Sequence, residues 1–431
     1  MTVVADSTAA SAAIGADDYP SLTSANWALG LLFSAYVLSF LDRQILSLLV
    51  GPIRESFGIT DFQYSLLMGP SFAIMYALAG LPLGRLADRF SRRLMVSGAV
   101  MFWSLATSLG GLAQSFGALF ASRMGVGAGE AGLAPAAYSI IADSYRPKHF
   151  GIAISVYKLG VKIGAGLALL VGGVLYDFYD SLESLSLPLI GAVEPWQATI
   201  ISVGMPGVLL SLLLLTMREP ARKGVQADRE AAGQNQYPLG EVLQFLWQRK
   251  RMYLSLFLGS SMLAIAGYGN GAWYPELLTR NYGMSKSAVG TWYGLTVIIG
   301  GSIGVMAGAG LATWLQRRGR VDAYVRTIMY AALVGFFPAV AAPLMGSIVP
   351  TFILLFPALI LGSAYLGVMA ASFSLITPNR MRGQTTAIYI FCTSVLGMTV
   401  GTMVTAAFTD YVFKSDDALH LSIASVNALC Y

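Results

Sequence analysis

Leu86-Ala87-Asp88-Arg89-Phe90-Ser91-Arg92-Arg93 and Leu311-Ala312-Thr313-Trp314-Leu315-Gln316-Arg317-Arg318 decide the fold. Both open on Leu-Ala and close on paired arginines. The same offset aligns Gly58-Ile59-Thr60-Asp61 with Gly283-Met284-Ser285-Lys286. Each pair flanks a long apolar stretch at corresponding ends, so the two stretches are equivalent helices of a duplicated unit. A duplicated six-helix unit predicts two bundles facing each other across a central cavity, with the substrate site near the membrane midplane.

The composition agrees. The chain has 431 residues, 56% hydrophobic and 11% charged. Soluble domains carry about 25% charged residues, so this chain has too little charge to cover a water-facing surface. Apolar stretches near the roughly 20 residues needed to cross a bilayer recur along its length. They place helices near 27–50, 62–84, 94–115, 117–144, 150–176, 196–217, 251–275, 286–314, 322–345, 349–376 and 383–409. A twelfth begins near Leu419 and is too short to span by Tyr431, so it is expected to be incomplete in this chain. Residues 1–26 have no basic start and no apolar run, and are read as a disordered tail rather than a signal peptide.

Charge sorts the loops. Arg85, Arg89, Arg92 and Arg93 follow the second helix, and Arg146 and Lys148 the fourth. Arg218, Arg222 and Lys223 follow the sixth; Arg317, Arg318 and Arg320 follow the eighth; Arg380 and Arg382 follow the tenth. The opposite loops are poorer in cations, and the one after the fifth helix holds Asp177, Asp180, Glu183 and Glu194. Basic loops face the cytoplasm, which predicts a multi-pass cell-membrane protein with both termini inside. The net charge of +5 serves this orientation and implies no nucleic-acid partner. The expected organisation is a bundle over 27–217, a linker over 218–250 and a second bundle over 251–431. In the linker, Leu239, Val242, Leu243, Leu246 and Trp247 follow Pro238 at helical spacing. They form either a short helix on the inner membrane surface or an extension of the seventh helix.

The stretch Gly84-Arg85 through Arg93 closely resembles the signature loop of the major facilitator superfamily. The first half is similar to the Spinster branch, through Leu41-Asp42-Arg43, Phe102-Trp103-Ser104-Leu105 and the fourth-helix run Arg123-Met124-Gly125-Val126-Gly127-Ala128-Gly129-Glu130-Ala131. That resemblance implies proton-coupled, alternating-access transport of a lipid-like or amphipathic organic anion, on the pattern of lysolipid and sphingosine-phosphate transporters.

Ionisable groups inside spans are costly and commonly functional. Here they are Asp42, Arg43, Arg123, Glu130, Lys158 and Lys162, all in the first half. The corresponding interior of the second half offers Tyr268, Asn270, Trp273, Tyr293, Tyr365 and Tyr389, read as an aromatic cavity wall. At about 1.5 Å rise per residue, Arg123 lies about 9 Å from the outer end of its helix, at a depth similar to Asp42. Glu130 is about 10 Å deeper, near the level of Lys162. The expected pairs are Asp42 with Arg123 and Glu130 with Lys162. Asp42 and Glu130 are read as proton carriers, and Arg43 and Arg123 as the cations that set their proton affinity. Lys158 and Lys162 share one helical face and are read as a seat for an anionic headgroup. The plainer alternatives are static helix-tying pairs and a lysine snorkelling at the rim.

Gly84, Asp88, Arg89, Arg92 and Arg93 are read as a cytoplasmic gate, with Asp88 accepting hydrogen bonds when that side is closed. Thr313 and Trp314 stand at the positions matching Asp88 and Arg89, so the latch is lopsided. Gly160, Gly164, Gly300, Gly304 and Gly308 recur every four residues and predict close helix packing. No GxxxxGK[ST] loop occurs for an ATP-driven pump. His149, His420, Cys392 and Cys430 form no metal-binding pattern, and no cofactor is expected. The expected function is a monomeric secondary transporter in contact with membrane lipids, not an enzyme. The alternatives are a proton-coupled carrier of small soluble carboxylates or a membrane sensor on the same fold. Replacing Asp88→Asn is expected to slow turnover more than it weakens substrate affinity; unchanged transport in an uptake assay would remove Asp88 from the gate.

Overall fold

The computed structural model describes residues 19–182, 185–187, 191–222, 238–378 and 381–431, apart from the side chains of Leu81, Asp88, Leu239, Gly367, Ala370, Ser374 and Gly383. The expected latch at Asp88 therefore lies outside the described side chains. The first pass is α1 (Leu22–Gln44), a 3-10 turn over Ile45–Leu48 and α2 (Val50–Phe57). The second is α3 (Asp61–Met68) and α4 (Pro70–Arg89), and the third α5 (Arg92–Gly110). The fourth is α6 (Phe116–Glu130) and α7 (Leu133–Ser144), the fifth α8 (Pro147–Asp180), and the sixth α9 (Pro195–Leu214). After the linker come α10 (Leu239–Gln248), α11 (Lys250–Arg280), α12 (Lys286–Arg317), α13 (Ala323–Ala341), α14 (Ile348–Ala364), α15 (Met369–Ile376), α16 (Arg382–Ala407) and α17 (Leu419–Cys430). A two-stranded ribbon, β1 (Ser186–Leu187) with β2 (Gly191–Ala192), sits between α8 and α9. The protein is an all-α membrane fold, and among the described residues seven helical segments are long and apolar enough to span by themselves.

Sequence chemistry sets the breaks. Gly58 and Gly283 both adopt left-handed backbone, at φ 62° and φ 66°. Two residues later Thr60 and Ser285 cap the next helix by accepting backbone N–H bonds from Gln63 and Ala288. The duplicated tetrapeptides are thus the same turn built twice. Gly69 before Pro70 divides the second pass where its Cα sits against Thr402 and Met398 of α16, leaving no room for a side chain. The first helix starts at Leu22, ahead of the expected 27, because Ser21 caps it. Arg249 leaves helical geometry between α10 and α11, so the linker helix is separate and not an extension of the seventh pass. It seats Val242 and Leu246 against Tyr253, Phe373, Met381 and Tyr389, while Leu243 and Trp247 stay exposed.

Junctions alternate between two faces. The basic face holds the α4–α5, α7–α8, α9–α10 and α12–α13 junctions, and the far face the α2–α3, α8–α9 and α11–α12 junctions. The halves meet most closely towards the far face. Glycines let α8 and α12 approach backbone to backbone: Gly173 lies against Lys286, Gly290 against Leu169 and Gly294 against Gly166. Gly160 and Gly164 seat α8 on α1, and Gly304 and Gly308 seat α12 on α14, as their spacing predicted.

Charge locks the far face. Asp61, fully buried, receives Arg280 through Nη1 and Nη2 at 2.8 and 2.9 Å and Arg54 Nη1 at 2.9 Å. Arg54 also reaches Asp416 at 3.1 Å, and Glu276 takes Arg280 at 3.1 Å and Lys286 at 3.5 Å. Asp177 accepts from the Ser287 amide at 2.9 Å, and Asp410 from the Phe62 amide at 2.7 Å. Among the described residues, the hydrogen bonds joining the halves run from this face down to Lys162 and Ser363 at mid-depth, 3.5 Å apart. Removing one partner of a buried ion pair costs about 3–5 kcal/mol. Asp61→Asn is therefore expected to move the chain towards a far-open form by about 100-fold or more. Spin labels at Ser181 and Lys414, one on each half, should report a longer distance; an unchanged distribution would take the network out of the gate.

Candidate functional site

The intramembrane charges of the first half converge, but not in the expected pairs. α1 carries Ser39, Asp42 and Arg43 one helical turn apart, and α6 carries Arg123 and Glu130 two turns apart on one face. Glu130 accepts Arg43 Nε and Nη2, each at 2.7 Å, and Ser39 Oγ at 2.5 Å. It is the partner of Arg43, not of Lys162. Asp42 and Arg123 are both buried, and Asp42 lies in the field of Arg123, Glu130 and Arg43. Yet Asp42 Oδ1 and Arg123 Nε have no hydrogen-bond partner among the described residues, and the two side chains form no ion pair. Matching depth was right for these groups; azimuth round the helix decided who meets whom. Glu130 Oε1 is likewise free of a protein donor.

Arg43 is packed by aromatics, its guanidinium 4.4 Å from the Phe72 ring centre, 4.8 Å from Phe40 and 5.0 Å from Tyr76. This holds the cation in place by ring faces as well as by Glu130. Tyr36, Tyr138, Tyr157 and Tyr268 gather beside it. Tyr36 stacks on Tyr157 at 4.4 Å, Tyr138 meets Tyr157 edge-on at 5.7 Å, and Tyr36 senses both Arg43 and Tyr268. The aromatic surface near the charges therefore comes chiefly from the first half. Of the residues expected to form that wall, Tyr268 is in place. Trp273 is buried and donates to the Thr402 carbonyl at 2.9 Å; Tyr293 is buried and stacks on Tyr274. Asn270 binds Asn427 at 3.0 Å, and Tyr365 and Tyr389 are packed around Phe373. These five pack the second half's interior because bulky aromatics fill the space beside its glycine-rich helices. The sequence signal for the tyrosines that do gather was their spacing on α1, α4, α7 and α8, masked by ordinary apolar periodicity.

Lys162 lies half-buried between the halves, its stem against Gly301 of α12 and its Nζ on Ser363 of α14. Among the described residues it has no carboxylate partner. Lys158, one turn nearer the basic face on the same stripe, is exposed.

The basic-face loop is held differently from expectation. Arg89 is exposed, while Arg92 is buried and works within the first half. It donates to Asp143, to Ser139 at 2.8 Å, to the Pro220 carbonyl at 2.7 Å and to Glu219 at 3.3 Å. Arg93 reaches the Leu215 carbonyl at 3.3 Å, and Gly84 lies inside α4 with no close neighbour. Burial opposes charge on Glu219, but hydrogen bonds from Ser91 and from the Arg92 amide and guanidinium outweigh it and hold its carboxyl below the ordinary value. That contact is present at neutral pH and is lost as pH falls through the lowered value. The sequence reading overlooked the far-face set, Arg54, Asp61, Glu276, Arg280, Lys286 and Asp416. The available signal was Asp61 opposite Lys286 in the repeat: equivalent helix starts with opposite charge.

The sequence profile of the Major Facilitator Superfamily matches residues 32–402. A solved structure of a bacterial homolog to the human lysosomal transporter Spinster, inward-facing and unoccupied, is 29% identical, covers 95% of this chain and 93% of that one, and superposes with a TM-score of 0.78. An MFS-type efflux pump of Mycolicibacterium smegmatis is 28% identical over 94% of this chain and 91% of that protein. A sphingosine-1-phosphate transporter of Xenopus tropicalis is 25% identical over 76% of this chain and 63% of that protein. With a profile match over most of its length and a duplicated helical unit joined at one face, the chain belongs to the Major Facilitator Superfamily and resembles its Spinster-like transporters.

Proposed function

We propose that the chain is a proton-coupled secondary transporter that moves an amphipathic organic anion by alternating access. The observation that carries this reading is the Arg43–Glu130 pair inside the first half, embedded in aromatic rings. An ionised Glu130 holds Arg43. A proton on Glu130 ends that attraction and frees the guanidinium for a substrate carboxylate or phosphate, which Arg binds in a fork. Lys162 offers a second cation, and Lys158 a third on the way out. The tyrosines supply apolar faces with polar tips, suited to a molecule with a charged head and a hydrophobic body. The similarity to a sphingosine-1-phosphate transporter supports that substrate class.

In this reading the basic face is cytoplasmic, both termini lie inside, and the described state is open to the cytoplasm with the far gate shut. Substrate and proton occupancy then shift the balance between two states by their differential affinity for each. Loss of the Arg43–Glu130 attraction is one such difference, and release of Asp61 from Arg280 is its counterpart at the gate.

Glu130→Gln and Asp42→Asn are expected to abolish proton-driven accumulation in proteoliposomes while leaving downhill exchange. Arg123→Ala should harm both, because it takes from buried Asp42 its principal cation while Glu130 keeps Arg43. Full uphill accumulation in both neutral variants would exclude these carboxylates as carriers. Lys162→Ala is expected to weaken binding of an anionic lysolipid by about tenfold, the share of one charge-assisted contact. The same substitution should leave a neutral monoacylglycerol unaffected; equal losses for the two would count against a headgroup seat.

A further inference from the structure

A proline inside a helix deprives one backbone carbonyl of its usual donor, the one four positions earlier. In α11 the proline is Pro275 and the carbonyl is that of Gly271. That carbonyl is met from the other half of the molecule. Gln44, at the end of α1, donates to it through Nε2 at 2.6 Å. A carbonyl can only accept, so the contact also fixes which end of the amide faces α11.

The surroundings hold Gln44 in this position. The chain tightens into the 3-10 turn Ile45–Leu48 directly after it. Ser47 Oγ donates to the Gln44 carbonyl at 2.7 Å and accepts Gln44 Nε2 at 2.9 Å, which ties backbone and side chain to one hydroxyl. Tyr64 of α3 donates to the Leu46 carbonyl at 2.7 Å and fixes the turn. Arg43, one residue back, turns the other way to Glu130. Below the charged far face, two further hydrogen bonds between the halves are long by comparison. Lys162 meets Ser363, and Thr402 meets the Ser65 carbonyl, each at 3.5 Å. Gly271 lies nine residues inside Arg280, about 14 Å along the helix. The Gln44 contact is thus a closure separate from the ion pairs on Asp61, and it carries no charge.

We propose that Gln44 is a positioning residue of the transport cycle, supplying across the seam the donor that Pro275 denies to the Gly271 carbonyl, and doing so only while the far face is shut. The inference rests on the reading of the chain as an alternating-access carrier. Parting the halves at the far face carries Gln44 out of hydrogen-bond reach, and water entering the opened seam takes both groups. The bond is exchanged rather than simply lost, so the far-open form tolerates the proline without help. Without the amide, the far-closed form alone keeps an unsatisfied carbonyl, in a seam packed by Trp273, Leu277 and Ile45. An orphaned buried acceptor penalises that form.

A double-mutant cycle on the whole chain tests this. Spin labels are placed at Ser181→Cys and Lys414→Cys in a background carrying Cys392→Ser and Cys430→Ser, and the protein is held in lipid nanodiscs. Gln44→Met keeps the side chain's length and removes the donor. Pro275→Ala gives the Gly271 carbonyl a donor within its own helix, and Pro275→Ser provides a second background that does the same. Gln44→Met is expected to raise the ratio of far-open to far-closed molecules by about tenfold. In either Pro275 background the same substitution should change that ratio by less than about twofold. Ser47→Ala, which leaves the reach to Gly271 intact, should stay within about twofold of the parent. An equal shift by Gln44→Met with and without the proline overturns the inference, because it marks the glutamine as a packing residue. A Ser47→Ala shift as large as that of Gln44→Met overturns it too, by placing the effect in the turn. No shift in Gln44→Met, while Asp61→Asn opens the far face, overturns it and leaves alternating access standing. A distance distribution that no variant moves, Asp61→Asn included, overturns both.

Discussion

Asp61 is the residue on which the described state depends. It begins a helix of the first half, is sealed from solvent, and is neutralised by Arg54 from its own half and by Arg280 from the other. A buried carboxylate with two guanidiniums is tolerable only while both remain. Separating the halves must therefore either bring water to Asp61 or leave it with Arg54 alone. Glu276 repeats the arrangement from the opposite side with Arg280 and Lys286. Arg280 serves both carboxylates, so the two clusters are coupled through one guanidinium.

The central charges obey the same rule with a looser fit. Arg43 and Ser39 both hold Oε2 of Glu130 and leave its Oε1 without a protein donor, whereas Asp42 and Arg123 share a field without an ion pair. One pair is in direct contact and the other acts across a gap. The aromatic packing on Arg43 allows the guanidinium to lose its carboxylate without losing its position, since ring faces continue to stabilise it.

Much of this was legible in the sequence, and the reasons for the rest are specific. The repeat of Gly58–Asp61 in Gly283–Lys286 gave the turn, the cap and the start of equivalent helices, because glycine in left-handed backbone and a hydroxyl cap are local requirements. The glycine stripes gave close packing for the same reason. Partners were harder. Counting rise placed Glu130 level with Lys162, but Lys162 points at the second half and Arg43 turns back towards α6. Rotation round an axis follows from packing, not from depth. Trp273 and Tyr293 resembled a cavity wall because an aromatic stripe reads alike whether it lines a cavity or fills a bundle. The far-face ion pairs were hidden because Arg54, Asp61, Glu276 and Arg280 sit at helix ends, where charge is ordinarily read as a solvated rim.

The glycine seam between α8 and α12 also fixes the thermodynamic character of the motion. Gly173, Gly290 and Gly294 meet the opposing backbone directly, and around them one apolar core joins Ile45, Leu48 and Leu169 of the first half to Trp273, Leu277, Val289 and Tyr293 of the second, so parting the halves exposes apolar area. A transition that exposes apolar surface carries a heat-capacity change, and its balance varies with temperature. Charge resists opening as well, and part of that charge, at Asp416, lies at the solvent edge where ions screen it. In the proposed cycle the balance between the two forms therefore answers to warmth through the apolar seam and to ionic strength through the charges at the far face.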